Sequence, residues 1–150
     1  MKKIVVDTNI VFSAILNSTS KIGKILINSK GHFHFYTCDF LRVELLKHRS
    51  KLSKLTKLSI EEVEELESLA TRNITFINES LLPEKVISAT EIILVDIDLN
   101  DTPFVALTKH VKAKLWTGDK ELTNGLKSIK FIETISTSEL SELLDELERK

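Results

Sequence analysis

Cysteine, glycine and proline are all scarce in this chain of 150 residues, and long hydrophobic runs are missing. The single cysteine, Cys38, excludes an internal disulfide and a zinc site built from several cysteines. The four glycines stand singly and form neither a phosphate-binding loop nor a dinucleotide-binding fingerprint, which argues against purine nucleotide hydrolysis and NAD chemistry. No run approaches the roughly 20 residues of a membrane helix, and the N-terminus lacks the hydrophobic segment of a signal peptide. We therefore expect a cytoplasmic protein without membrane contact.

An excess of charge of one sign is missing as well. Lysine and arginine number 21 and aspartate and glutamate number 22, so the formal net charge is −1. A near-neutral chain is not expected to coat DNA non-specifically, although a local basic groove stays open. The length fits one domain, and we expect residues 1–150 to form it.

Strand-like and helix-like segments alternate along the chain. Serine-initiated capping boxes at Ser59 and Ser136 predict two helix starts, and Thr102 before Pro103 predicts a third, with Thr102 as its N-cap. Short β-branched or aromatic runs predict five strands, at residues 2–6, 33–37, 74–77, 114–117 and 130–134. This alternation is typical of a parallel sheet that is covered by helices on both faces.

The most informative feature is where the acidic residues fall. Asp7 ends the first strand, and Asp119 follows the fourth. Asp98 and Asp101 precede the predicted Thr102 helix, and Glu44 lies early in the helix after strand two. Ligands of open parallel sheets bind beyond the carboxyl ends of the strands, which all these acids can reach. A strand order of 3-2-1-4-5 would bring Asp7 beside Asp119.

Acids gathered at one edge must take up protons or hold cations. Two carboxylates about 5 Å apart repel by about 3 kcal/mol at an effective dielectric of about 20. Oxygen ligands without histidine or cysteine favour Mg²⁺ or Mn²⁺ over zinc, and such ions assist attack on phosphodiesters. Each acid taken alone is typical of a turn, a helix cap or a solvated surface. Only their combination at one edge favours a catalytic function.

Four segments, in this order and over nearly the whole chain, resemble the signature segments of the PIN-domain family of VapC-like and PilT N-terminus-like ribonucleases. They are Val5-Val6-Asp7-Thr8-Asn9, Phe40-Leu41-Arg42-Val43-Glu44-Leu45, residues 98–107 and residues 116–122. The resemblance implies a three-layer α/β/α sandwich around a parallel sheet of about five strands in the order 3-2-1-4-5. It also implies a metal-dependent ribonuclease that cuts single-stranded RNA. Many single-domain members are toxins that a small antitoxin protein neutralises.

The resemblance also implies roles for individual residues. The metal-binding acids correspond to Asp7, Glu44, Asp101 and Asp119. The supporting residues correspond to Asn9, Thr117 and a further acid, Asp98. The segment Thr117-Gly118-Asp119 departs from the family, in which Thr-Arg-Asn or Thr-Asn-Asp is frequent. The expected reaction is Mg²⁺- or Mn²⁺-assisted hydrolysis that leaves a 5′-phosphate and a 3′-hydroxyl.

Other features add hypotheses about partners. Lys47, Lys51 and Lys54 are spaced as one helical stripe near Glu44, which indicates either RNA-backbone binding or a solvated face. The five glutamates of residues 61–67 predict a solvated helix face. The leucine face of the C-terminal helix predicts core packing, with a homodimer or antitoxin contact as the alternative. Two functions remain as alternatives to the ribonuclease: another Mg²⁺-dependent phosphohydrolase, or a non-catalytic module that binds RNA or protein.

Overall fold

The computed structural model describes residues 2–29 and 31–150. Within them, five parallel strands form one sheet in the order β3-β2-β1-β4-β5, which confirms the predicted order. The pairing places Val6 of β1 beside Trp116 of β4, so the residues that follow these two strands emerge as neighbours. The strands are β1 (Lys2–Val6), β2 (Phe33–Cys38), β3 (Ile74–Ile77), β4 (Lys114–Trp116) and β5 (Glu133–Ile135).

In the described part of the chain, eight α-helices cover the two faces of the sheet and complete the expected three layers. They are α1 (Thr8–Leu16), α2 (Lys21–Asn28), α3 (Phe40–Thr56), α4 (Ile60–Thr71), α5 (Glu84–Leu94), α6 (Thr102–Val111), α7 (Lys120–Ile129) and α8 (Thr137–Glu148). Alternate residues of β1 face opposite layers, as the period of a strand requires. Ile4 and Val6 pack with α1–α4 and α8, whereas Val5 packs with α5–α7.

The C-terminal leucine face belongs to the core. Leu140 is fully buried, and Leu143, Leu144 and Leu147 pack against the same cluster. Trp116 is also fully buried, and its indole N–H donates a hydrogen bond to the Thr137 hydroxyl at 3.0 Å. The prediction of core packing for α8 is therefore confirmed.

The starts and ends of some elements differ from the prediction. Thr102 is not an N-cap, because Asp98 accepts a hydrogen bond from the Asn100 N–H at 2.9 Å and begins a short 3-10 turn, Leu99–Asp101. That turn runs directly into α6, which makes Asp101 the N-cap and Thr102 the first helical residue. Likewise β5 begins later than predicted, since residue 130 still caps α7.

One glutamate of the acidic block lies in the core instead of on a solvated face. The Glu67 carboxylate accepts two hydrogen bonds from the Arg49 guanidinium, from Nε at 2.9 Å and from Nη2 at 2.7 Å. Only 7% of Glu67 is exposed. The prediction was wrong for Glu67 because helix periodicity does not show a partner that comes from the neighbouring helix α3.

We expect Glu67→Gln to lower the free energy of unfolding by about 2 kcal/mol. Breaking a buried ion pair typically costs about 3–5 kcal/mol, and partial exposure of Arg49 reduces that cost. The melting temperature should fall by about 4–8 °C. Glu65→Gln, an exposed change on the same helix, is the matched control. Equal melting temperatures for the two variants in calorimetry would show that the pair contributes nothing.

No single helix in residues 2–29 and 31–150 has the length and apolar character needed to cross a membrane. The pair α1 and α2 passes on length and composition alone, with a bend of 106° between them. Apolar residues of both helices, such as Ile10 and Leu26, are buried in the core.

Candidate active site

An acidic cleft lies beyond the carboxyl ends of β1 and β4. Its volume is about 230 Å³. The structure brings all four predicted metal-binding acids together in its lining, with two of the predicted supporting residues. The lining residues are Asp7, Thr8, Asn9, Phe12, Glu44, His48, Asp98, Asn100, Asp101, Phe104 and Asp119.

Three of the acids stand at the N-terminal ends of three helices. Asp7 caps α1, and its Oδ1 accepts the Ile10 N–H at 3.1 Å. Asp119 caps α7 in the same way, accepting the Leu122 N–H at 3.1 Å. Asp101 is the N-cap of α6 but makes no side-chain capping bond. Helix N-termini carry partial positive charge, so this edge of the sheet favours carboxylates and phosphates.

Thr117 lies beneath the cleft and connects two of the acids. It is 97% buried and follows β4, next to the end of β1. Its hydroxyl oxygen accepts the Asp119 N–H at 3.1 Å, which fixes the backbone of the loop that carries Asp119. The same hydroxyl lowers the pKa of Asp7, although less than burial raises it. Thr117 therefore supports the acids from below, and it does not line the cleft.

Glu44 reaches the cleft from α3, the helix that follows β2. Its carboxylate Oε2 lies 3.7 Å from His48 Nε2, one helical turn further along. The imidazole of His48 in turn packs edge-on against the Phe12 ring, with centroids 5.5 Å apart. Phe12 and His48 thus form the part of the cleft lining beside Glu44.

Asp101 combines a raised pKa with a buried carboxylate oxygen that has no partner among the described residues. Its Oδ2 is buried and has no hydrogen-bond partner in the described part of the chain, where Thr8 Oγ1 is in the same state. Burial is the largest cause of a rise in the pKa of Asp101 to about 7, and the negative charges of Asp98, Asp7 and Asp119 contribute the rest. An unpaired carboxylate oxygen among like charges costs free energy unless a proton or a cation joins it.

Asp7 shows the same effect. Burial raises the pKa of its carboxyl group above the ordinary value, and the charge of Asp119 adds to the rise. The Thr117 hydroxyl and the Ile10 N–H act in the opposite direction without cancelling it. Two carboxylates of one cleft are therefore destabilised in their charged forms.

The donor chemistry of the cleft fits a hard divalent cation. Carboxylate oxygens are the ligands that Mg²⁺ and Mn²⁺ prefer, and the orphaned Asp101 oxygen is free to serve as one. Asp7, Asp101 and Asp119 could hold such an ion, with Glu44 in the same cleft lining. Across residues 2–29 and 31–150, however, no three His, Cys, Asp or Glu side chains already form a set that could hold a metal ion. The cleft therefore suits a divalent cation by its charge and its oxygen donors, although the described side chains do not form a complete set of ligands around one point.

The predicted lysine stripe stays outside the cleft. Lys47, Lys51 and Lys54 are exposed on α3, the helix that carries Glu44, and none of them lines the cleft. Their positive charges therefore do not neutralise the carboxylates of the cleft. Their role in binding RNA stays a prediction.

Several lining residues were not singled out from the sequence. His48 had a visible signal, since it follows Glu44 by four residues on one helix. Thr8, Phe12, Asn100 and Phe104 are ordinary helix or turn residues in the sequence. They reach the cleft because α1, the 3-10 turn and α6 all begin at this edge.

Comparison with known proteins gives one family match. A model that describes the PIN domain matches residues 5–147. No curated protein matches the sequence. A crystal structure of VapBC2 from Rickettsia felis, bound to a DNA fragment from their promoter, aligns with a TM-score of 0.69 and 17% identity, over 89% of this chain and 98% of that chain. PAE2754 from Pyrobaculum aerophilum aligns with a TM-score of 0.68 and 12% identity, over 96% of both chains.

Proposed function

Because the chain belongs to the PIN-domain family, we propose that it is a Mg²⁺- or Mn²⁺-dependent endoribonuclease that hydrolyses phosphodiester bonds in single-stranded RNA. PIN domains are generally nucleases. One observation carries the proposal beyond the family: the acids at positions 7, 44, 101 and 119 line one cleft, in which a buried Asp101 oxygen has no partner. That oxygen is explained if a cation belongs there.

Different residues of the cleft have different roles in binding and orienting the substrate. Asp7 and Asp119 are held in place because one oxygen of each carboxylate accepts a helix N–H. The Asp101 side chain makes no capping hydrogen bond, so its carboxylate is available to a ligand. The N-terminal ends of α1, α6 and α7 favour a phosphate at the same edge.

A bound divalent ion would polarise the phosphodiester and lower the pKa of the attacking water. Glu44 lines the same cleft, and we assign it to orient that water or to bind a second ion, with His48 3.7 Å from its carboxylate. In-line attack by water on phosphorus would leave a 5′-phosphate and a 3′-hydroxyl. The described residues of the cleft provide one histidine, His48, and no pair of the kind that would activate a 2′-hydroxyl.

We expect cleavage of unstructured single-stranded RNA with Mg²⁺ or Mn²⁺, and none in excess EDTA. Each end-labelled RNA of a panel should be cut internally, with activity restored when Mn²⁺ is added back. The product ends are identified by ligation. A product with a 5′-phosphate can be ligated directly, whereas a product with a 5′-hydroxyl must first be phosphorylated. Full turnover in EDTA, or products that end in a 2′,3′-cyclic phosphate, would contradict the proposal.

We further propose that the protein acts as the toxin of a toxin–antitoxin pair and that a small antitoxin protein binds it. The fold similarity to VapBC2, which was solved as a complex with promoter DNA, supports this role. Expression of the wild type should arrest growth. Co-expression of a small DNA-binding protein encoded beside it should restore growth, and growth unaffected by the wild type would contradict the toxin role.

A further inference from the structure

Lysines gather at the edge of the sheet opposite to the acidic cleft. A groove of about 780 Å³ is lined by Lys109, Lys112, Lys127 and Lys130. A smaller groove of about 210 Å³ adjoins it and adds Lys2, Lys3 and Lys114. The two grooves share Lys112, Ala113 and Glu133, so they form one continuous surface, the lysine edge.

Two helices connect the lysine edge with the cleft. α6 has Asp101 as its N-cap and Lys112 as its C-cap, and α7 has Asp119 as its N-cap and Lys130 as its C-cap. Each helix has ten residues, which corresponds to about 15 Å at 1.5 Å per residue. Each of them thus carries a cleft acid at its N-terminus and a lysine of the opposite edge at its C-terminus.

The lysines that end these helices occupy a costly backbone conformation. Lys112 and Lys130 both have a φ angle of 59°. Glycine is the usual residue at such helix ends, because a side chain in the left-handed region is sterically disfavoured. The positive charge of a lysine interacts favourably with the C-terminal end of the helix dipole, which offsets part of this cost. It also places a positive charge in the groove, which glycine would not.

Two glutamates offset part of this charge. Hydrogen bonds with Ser136 lower the pKa of Glu139, and the positive charges of Lys127 and Lys114 also lower it. Glu133 lies 3.4 Å from Lys114 and pairs with it. Lys109 Nζ donates to the Phe131 carbonyl oxygen at 3.3 Å and lies 4.8 Å from the centre of the Phe131 ring. The charges are spread over two grooves and do not converge on one point, which suits a chain of phosphates better than a single anion. An aromatic ring among lysines is typical of single-stranded nucleic-acid sites.

We propose that the lysine edge is a second binding surface for single-stranded RNA, remote from the cleavage site. The proposal rests on the proposed function, since the bound RNA is the substrate that continues beyond the cleft. A distance of about 15 Å corresponds to roughly four to five nucleotides at a stacked rise of about 3.4 Å per nucleotide. RNA that extends only one or two nucleotides past the cleaved bond is therefore too short to reach the lysine edge from the cleft.

The test uses a double variant, K112G/K130G, in the full chain. Both changes remove a charge at a position where glycine is sterically favoured, so the fold should be retained. Lys57→Gly is the matched control, because Lys57 ends α3 with a φ angle of 61° and lies outside both grooves. Binding of a fluorescent 20-nucleotide RNA is measured by anisotropy in EDTA, from 50 to 300 mM KCl.

We expect the double variant to bind the 20-nucleotide RNA about tenfold more weakly at 0.1 M salt. The slope of log K against log salt should decrease by about 1.4, since two phosphate contacts are lost at about 0.7 each. Lys57→Gly should stay within twofold of the wild type.

Unchanged affinity and slope in the double variant would overturn the proposal, as would an equal loss in Lys57→Gly. An oligoglutamate of matched charge that binds the lysine edge as tightly as RNA would also overturn it, in favour of an acidic protein partner. If the double variant does not fold, K109Q/K127Q removes two charges from helical positions and must give the same loss. Because binding is read in EDTA, absence of cleavage would refute the proposed function alone, and unchanged binding would refute the lysine edge alone.

Discussion

Asp7→Asn should reduce kcat/KM for RNA cleavage by at least about 10³-fold, equivalent to about 4 kcal/mol of transition-state stabilisation, while the protein stays folded. The expected loss is large because Asp7 stands where β1, β4 and α1 meet and lines the cleft with the other three acids. Asparagine caps a helix as well as aspartate does, so the bond from the Ile10 N–H is kept. Removing a buried charge also removes a cost, because the pKa of Asp7 is raised by burial. We therefore expect a melting temperature at or above that of the wild type.

Two further variants separate catalysis from folding. Asp96→Asn changes an exposed carboxylate outside the cleft and should leave cleavage unchanged. Asp7→Ala should lose cleavage like Asp7→Asn and, in addition, lose about 1 kcal/mol of stability with its helix cap. Cleavage by Asp7→Asn within tenfold of the wild type would remove Asp7 from the reaction, and with it the proposed site.

The arrangement of the acids could be predicted from the sequence because it follows from strand order. Once β1 and β4 are neighbours, the residues that follow them must be neighbours too, and Asp7 and Asp119 are such residues. The capping preferences of aspartate then place each of them at a helix start. Local rules and topology therefore point to the same edge of the sheet.

What could not be predicted depends on contacts between elements that are distant in the sequence. Glu67 was expected on the surface and is buried, because Arg49 of another helix neutralises it. Thr102 was expected to cap α6, but the preceding turn gives that position to Asp101. That shift matters for the site, since Asp101 caps without a side-chain bond and its buried Oδ2 has no hydrogen-bond partner among the described residues.

The metal-free protein should become more stable as the pH falls from 8 to 5.5. The pKa of Asp101 is about 7 in the folded chain, whereas the ordinary value is 3.8. Between these values the folded state binds more protons than the unfolded state, so the stabilising proton is fully present below pH 4 and is lost as the pH rises through 7. The full shift would correspond to about 4 kcal/mol, but only the part between pH 7 and pH 5.5, about 1.5 pH units or about 2 kcal/mol, falls within this range. We expect about half of that, since Asp101 is partly open to solvent, or about 2–4 °C in melting temperature.

The comparison with Asp101→Asn isolates this carboxyl group from other groups that titrate in the same range. Asp101 faces Asp7, Asp98 and Asp119, and His48 and Glu44 line the same cleft. The variant keeps these neighbours and the four histidines of the chain. It should show a clearly smaller rise in melting temperature from pH 8 to pH 5.5 than the wild type.

Divalent cations should replace the proton at the high end of this range. At pH 8, millimolar Mn²⁺ should raise the melting temperature of the wild type, because an ion that binds only the folded state stabilises it. At pH 5.5 the effect should shrink, since Asp101 then already carries a proton. Asp101→Asn should respond weakly at both pH values, whereas Asp96→Asn should respond like the wild type. A wild type that melts at the same temperature with and without Mn²⁺ at pH 8 would mean that the four acids repel one another without a cation to join them, and the unpartnered Asp101 oxygen would need another explanation.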